Sequence, residues 1–275
     1  MKVGIITFQK YEGRLNIGSS RIRGQWLVNH WEDAEIFRQG AQYDIVIYQK
    51  AYWTEHAKEF KGLKILDICD PDWMHWAYRV KEMSIYMDAI TVPTEAMKIA
   101  LEQFTDKPIY IIPDRIDLDR FKDVKIHTRI AKTVVWFGYA QNFDILRSAM
   151  REITTNELDL IVVSNSNFTA QQTYDIDITN YKFKEEDYKL NIMRGDIVLN
   201  PRTISGKWKF KSNNKTLIAW ALGIPVAEDD IQLRRFLNPD ERKKEIELRT
   251  KELKEKYDVK LSVKEMKNVI SDLQK

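Results

Sequence analysis

The 275 residues carry 44 basic and 41 acidic side chains, a net charge of +3, so the overall field is weak and points to no highly charged partner. Hydrophobic residues make up 44% and charged residues 31%, and no apolar run approaches the roughly 20 residues of a helical membrane span. The single cysteine, Cys69, excludes an internal disulfide framework and a multi-cysteine metal site, and reads as a buried strand residue.

The length suits two compact domains better than one. The chain opens on MKVGIITF, an apolar run too short for a secretory signal and lacking a cleavage site, so cytoplasmic residence is expected. Through the first half, short β-branched runs alternate with polar loops or amphipathic stretches, the mark of a parallel α/β sheet. Strands are predicted at residues 2–7, 34–37, 45–49, 64–68, 89–92 and 109–112, and helices at 21–29, 57–60, 76–87 and 94–104. After the first strand, Gly18, Ser19 and Ser20 supply a flexible turn with donors, and Arg21 and Arg23 could reach an anion. No GxGxxG fingerprint is present, which disfavours an NAD site.

The loop DICDPDWMHW follows a strand, and carboxyl ends of parallel strands are where such sheets place ligands, so Asp70, Asp72 and His75 are candidate site residues. Asp72 also stands where a helix cap is expected, and the trio matches no known metal-ligand spacing, so no metal site is assigned. Thr94 is an expected N-cap, placing Met97, Ala100, Leu101 and Phe104 on one helix face. Residues 113–129 are polar and aperiodic and read as an interdomain linker. The pattern then restarts: strand 133–137, helix 143–153, strand 158–164, an irregular stretch through Asn180, helix 184–193, strand 196–201 and helix 214–222.

Residues 200–230, NPRTISGKWKFKSNNKTLIAWALGIPVAEDD, carry the most chemistry. Lys207, Lys209 and Lys211 recur at strand spacing ahead of a helix that Ser212, Asn213 or Asn214 can cap. Lys215 and Thr216 fall in its first turn, where free amides and the helix dipole favour a diphosphate. Gly223 is placed to end the helix in the left-handed conformation, ahead of Pro225. Arg202 is a candidate to stabilise a leaving diphosphate. Beyond Pro239 the chain is helical and highly charged, with Glu245 and Arg249, Glu247 and Lys251, and Glu252 and Lys256 four apart. Eight tryptophans, among them Trp53, Trp73, Trp76 and Trp208 in expected loops, read first as packing and second as a platform for sugars or bases. No nucleophile setting of the G-x-S-x-G kind is present, and the four histidines show no pairing.

Three runs resemble landmarks of the GT-B glycosyltransferases of family 4 and their relatives. AWALGIPVAED resembles the EAMALGxPVVA segment that closes their nucleotide-sugar site. DAITVPTEAMKIALEQF with PIYIIPDRIDLDRF resembles the end of their N-terminal domain, and WFGYAQNFDILRSAM resembles the opening of their donor domain. The resemblance implies two Rossmann-like α/β domains facing a cleft, an acceptor domain at 1–122 and a donor domain at 123–240, with a charged helical segment at 241–275. It implies metal-independent transfer from a nucleoside diphosphate sugar to an acceptor hydroxyl, with retention and with no cofactor. Gly18, Ser19, Arg21, Gly138, Asn142, Lys207, Asn213, Asn214, Lys215 and Thr216 would then contact the donor. Arg202 and Lys211 would stabilise the leaving group, and Asp70, Asp72 and His75 would position the acceptor or, with inversion, one of them would deprotonate it.

Where such families carry the ribose-binding acid, this chain has Ile218, and Phe210 replaces its partner acid; residues 142–144 replace their lysine-glycine pair. Two other readings stand beside the first: a glycosyltransferase acting on modified bases in DNA, and a non-catalytic nucleotide-sugar-binding protein.

Overall fold

A computed structural model describes residues 1–8, 17–201 and 206–275, with Lys207 lacking a described side chain. The chain forms two compact units. Unit 1 comprises Met1–Asp117, Ser205–Asn213 and Tyr257–Lys275, and unit 2 comprises Leu118–Ile204 and Asn214–Lys256. Among the described residues, no helix is long and apolar enough to cross a membrane.

Unit 1 is built on six parallel strands, β1 (Val3–Ile6), β2 (Ala34–Ile36), β3 (Ile45–Gln49), β4 (Leu63–Asp67), β5 (Ala89–Val92) and β6 (Ile109–Ile111), in the order β2-β1-β3-β4-β5-β6. Every residue of β1, β3 and β5 is buried, as a sheet covered on both faces requires. The order reverses direction between β1 and β3, whose registers pair Val3 with Ile45 and Ile6 with Tyr48. The expected helix after β1 is one continuous stretch, 18–28, whose middle segment Arg21–Gln25 is π-helical, a local widening often found at functional sites. Thr94 caps Glu95–Leu101 as expected, its hydroxyl accepting from the Met97 amide at 3.3 Å, and Met97 and Leu101 are buried. Cys69 is buried but lies beyond the end of β4 rather than in it.

Unit 2 holds five parallel strands, β7 (Thr133–Phe137), β8 (Asp159–Ser164), β9 (Ile178–Lys182), β10 (Ile197–Leu199) and β11 (Val226–Ala227), ordered β11-β10-β7-β8-β9. Its switch point lies between β7 and β10. Three expectations are corrected here. The irregular stretch through Asn180 contains β9, a half-exposed edge strand whose ITNYK sequence lacks an apolar run. The helix expected at 143–153 breaks into Phe143–Arg147 and Met150–Thr155. A short helix, Asp230–Arg235, was not expected; the Asp229 carboxylate caps it, accepting from the Gln232 amide at 2.7 Å.

Residues 113–129 are not a free linker. Asp114, Arg115, Ile116 and Asp117 are buried in unit 1, and Arg115 forms a two-pronged pair with Glu265 at 2.6 Å. In unit 2, His127 is also buried; its Nε2–H donates to the Gly223 carbonyl at 2.7 Å, and Nδ1 accepts from Arg242 Nε at 3.0 Å. Gly223 takes φ +73°, the left-handed helix end anticipated from the sequence. Both ring nitrogens are therefore committed to the neutral imidazole. Burial, then the charges of Arg242 and Lys125, hold His127 below the ordinary histidine pKa, outweighing the Gly223 carbonyl. Unfolded chains protonate this residue first as the pH falls below about 6.5. Its contribution to stability is therefore complete above that value and declines below it. Urea unfolding is expected to show unit 2 less stable at pH 5.5 than at pH 7.5, and His127→Gln to flatten the dependence across that interval; an unchanged slope would remove His127 as its source.

The charged C-terminal stretch forms two helices, Pro239–Lys256 and Val259–Leu273, divided at Asp258, which caps the second by accepting from the Lys260 amide at 2.9 Å. Glu245 pairs with Arg249 at 2.8 Å and Glu252 with Lys256 at 3.7 Å, four residues apart as expected.

Candidate active site

At the unit 1 switch point, the carboxyl ends of β1, β3 and β4 bring a dense set of polar side chains together. Arg23, on the π-helical turn, is 5% exposed and grips Asp67 with two hydrogen bonds, Nε–Oδ2 2.8 Å and Nη2–Oδ1 2.5 Å. Its remaining nitrogen donates to the Ile112 carbonyl at 2.9 Å and to Asp114 at 2.8 Å. Thr91 donates to Asp67 at 2.7 Å, and Ser212 to Asp114 at 2.5 Å. Burial would lower the Arg23 pKa, but Asp67 and Asp114, with Cys69 nearby, raise it, so the guanidinium is permanently charged. Arg23 is therefore spent on internal carboxylates, and the expectation that it reaches a ligand anion is corrected. Arg21 is buried on the same turn, while Gly18 and Ser19 are half-buried just ahead of it.

Lys50, immediately after β3, forms the second layer. Its ammonium lies 2.6 Å from Asp70 Oδ2 and 3.5 Å from Asp72 Oδ1, above the Phe8 ring at 4.7 Å. Asp70 Oδ1 accepts from Lys211 at 2.5 Å, and Asp72 Oδ2 accepts from the Tyr52 hydroxyl at 2.8 Å. Burial would raise the Asp70 carboxyl, yet Lys50 and Lys211 hold it below the usual range. Burial holds Asp72 above that range despite Lys50 and Tyr52. The two acids differ in access: the Asp70 side chain is 30% exposed, Asp72 6%. Asp72 precedes the helix Trp73–Ile85, but its side chain makes no capping bond. His75 sits on the exposed side of that helix and is not gathered into the cluster.

The basic run ahead of the second half is not a strand. Gly206–Phe210 is a 3₁₀ turn that starts with Gly206 at φ +57°. Phe210 is buried in the unit 1 core, edge-on to Trp73 with ring centroids 5.2 Å apart. That packing swings Lys211 onto Asp70, and a residue sought as an acid partner is here an apolar anchor. Arg202 and the side chain of Lys207 lie outside the described residues.

In unit 2, Gly138 follows β7 with φ +153°, and a Cβ there would stand 2.6 Å from Lys215 Nζ. Lys215, in the first turn of the helix Asn214–Ala221, lies 4.5 Å from the centre of the Trp136 ring. Thr216 is buried, its hydroxyl accepting from Asn200 Nδ2 at 3.2 Å, which ties the helix start to the end of β10. Gly138, Asn200, Lys215 and Thr216 thus meet at the unit 2 switch point. Asn142 is half-buried ahead of Phe143–Arg147 without a capping bond; Asn214 is half-buried and Asn213 is exposed. Ile218 is 4% exposed, packed where a ribose-binding acid would need to reach solvent. Sequence reasoning missed Lys50 and Tyr52; the available signal was a lysine directly after an apolar strand, at a loop where ligands gather.

Two doubly wound parallel sheets, each with its polar residues at the switch point, define the GT-B glycosyltransferase fold with two Rossmann-like domains. Among solved structures it is similar to the T4 phage BGT in complex with its UDP-glucose substrate, with TM-score 0.61, 12% identity and 99% of each chain covered. It is likewise similar to the lipopolysaccharide outer core galactosyltransferase WaaB, with TM-score 0.59, 14% identity and 99% of each chain covered. AviGT4, a glycosyltransferase involved in avilamycin A biosynthesis, gives TM-score 0.59 at 11% identity over 100% of this chain and 97% of that one. No family model matches the chain, and no curated protein matches its sequence.

Proposed function

We propose that this protein transfers a sugar from a nucleoside diphosphate donor to an acceptor hydroxyl. The observation that carries the reading is the Gly138–Lys215 approach at the unit 2 switch point, where a backbone without a side chain, an ammonium and the N-terminal end of a helix converge. That combination suits a diphosphate, and a solved neighbour of the same fold is a complex with UDP-glucose. Leaving-group charge falls to Lys215 and the helix amides, with Arg202 as a further candidate, rather than to a metal. The single buried free cysteine fits a cytoplasmic setting.

In unit 1, Asp70 is the carboxylate with access to an acceptor, and of Asp70, Asp72 and His75 it is the one that takes the role of base. It supports an inverting course over the retaining one that the resemblance implies. The acceptor hydroxyl gives its proton to Asp70 as its oxygen bonds to the anomeric carbon, and the bond to the diphosphate breaks with its electron pair. Lys211, bound to Asp70, belongs to this side of the chemistry.

A second reading concerns the acceptor. Trp76 and Tyr78 are 37% and 63% exposed on the helix that follows Asp72, with the Arg79 guanidinium 5.7 Å from both ring centres. Rings and a cation of this kind suit stacked bases, and one similar solved structure is of a DNA modifying enzyme, a beta-glucosyltransferase. Duplex DNA binding that weakens steeply with salt would support a base in DNA as acceptor; salt-independent binding of small saccharides would oppose it.

The donor half is tested by thermal shift against nucleoside diphosphates and their sugars, with and without EDTA. A ligand at a hundred times its dissociation constant adds about 2.7 kcal/mol. The expected result is a selective shift that survives EDTA and is lost in Lys215→Ala, whose turnover falls roughly a hundredfold. No shift with any nucleotide would overturn the donor assignment.

A further inference from the structure

Lys50 takes φ +51°, a backbone conformation that L-residues other than asparagine and aspartate seldom adopt. Glycine would sit there without strain, yet the chain holds a long cationic side chain at this point. Its surroundings supply the reason. The side chain is 9% exposed, and among the described residues its ammonium alone pairs with both acids, at 2.6 Å from Asp70 and 3.5 Å from Asp72. Each acid has a different second partner: Lys211, 37% exposed, on Asp70, and the hydroxyl of Tyr52 on Asp72. Among the described residues, the other ionisable groups nearby are Cys69, a buried thiol, and the Arg23–Asp67–Asp114 set, in which one guanidinium pairs with two carboxylates.

We propose that Lys50 is a positioning residue for Asp70: anchored between the two carboxylates, it fixes Asp70 through Oδ2 and keeps it ionised, so that Oδ1, which already accepts from Lys211, turns its second lone pair to the acceptor. The functional half of this inference rests on the sugar-transfer reading; the electrostatic half rests on the geometry of unit 1 alone. The neighbouring charges act in the same sense. Burial would lower the Lys50 ammonium, but Cys69, Asp70 and Asp72 together lift it above the ordinary lysine value, so the cation persists across the physiological range.

The test uses the full chain with carbon-13 in its aspartate carboxyl groups, titrated by NMR, beside the pH profile of kcat with the nucleotide sugar that the thermal-shift screen selects. Lys50→Met is expected to raise the midpoints of both Asp70 and Asp72, by roughly 1 to 3 pH units. Lys211→Met raises that of Asp70 alone, and Lys50→Arg restores both. In turnover, Lys50→Met lowers kcat about tenfold or more at the acid end and moves the acid limb upward, with the donor KM unchanged. Should Lys50→Met fail to fold, Lys50→Asn, which accepts the left-handed backbone, makes the same comparison. Midpoints identical to those of the wild type would overturn the proposal, as would a loss of kcat by the same factor at every pH. Shifted midpoints in a protein that transfers no sugar from any donor would instead remove the sugar-transfer reading and leave the electrostatic assignment standing.

Discussion

Asp70→Asn is expected to lower kcat by about 10² to 10⁴, the range for loss of a general base, while donor affinity stays within a few-fold of the wild type. Asparagine keeps the shape and one oxygen acceptor but cannot take the acceptor's proton. The same substitution at Asp72, 6% exposed and bonded to Tyr52, is expected to act on stability and only indirectly on turnover. Two lysines hold Asp70 below the usual carboxylate range, so its ionisation places no acid limb on the rate above about pH 5. Steady-state turnover across pH 5 to 9, with donor affinity from calorimetry, decides the matter. Full activity in Asp70→Asn would remove it as the base and reopen the retaining course, in which the departing phosphate takes the proton.

Arg23→Met is expected to be the most damaging single change to unit 1. Arg23 is 5% exposed, and the carboxylates it serves, Asp67 and Asp114, are 2% and 5% exposed. Removing one partner of a buried ion pair leaves uncompensated charge in a poorly solvated place, which costs about 3 to 5 kcal/mol. The melting transition should fall by roughly 10 °C, given about 2–4 °C per kcal/mol for domains of this size. Adding Asp67→Asn and Asp114→Asn to Arg23→Met should recover part of the loss, because the uncompensated charge goes with them. No recovery would show that the loss is one of packing rather than charge.

The strands buried on both faces were legible because their sequences are continuous apolar runs: IVIYQ and AITV were placed to the residue. The edge strands of unit 2 were not. ITNYK presents only part of its surface to a core, and Val226–Ala227 is too short to show a period. Gly223 and Thr94 were legible because their roles follow from local backbone geometry. The site was legible in part. Asp70 and Lys211 were singled out separately, one from its place after a strand and the other from a basic run. Their 2.5 Å contact depends on Phe210 entering the core, which no local pattern encodes. Lys50 escaped notice because one lysine after a strand looks like any solvated side chain. His75 had the right chemistry but lies on the exposed side of its helix, a distinction that hangs on where that helix packs.

Unit 1 is assembled from three separate stretches, the last of them Tyr257–Lys275. That stretch supplies the Ile116–Asp258 bridge, the Glu265 partner of Arg115 and, through Lys267, a cation 5.9 Å from the centre of the Trp31 ring. On the ribosome, the N-terminal sheet therefore emerges long before the helix that completes it, with all of unit 2 translated in between. At ordinary elongation rates that delay is roughly ten seconds. Nascent chains must carry an unfinished first unit through this interval, so unit 2, whose pieces arrive without such an interruption, is free to mature before the domain that precedes it in the gene.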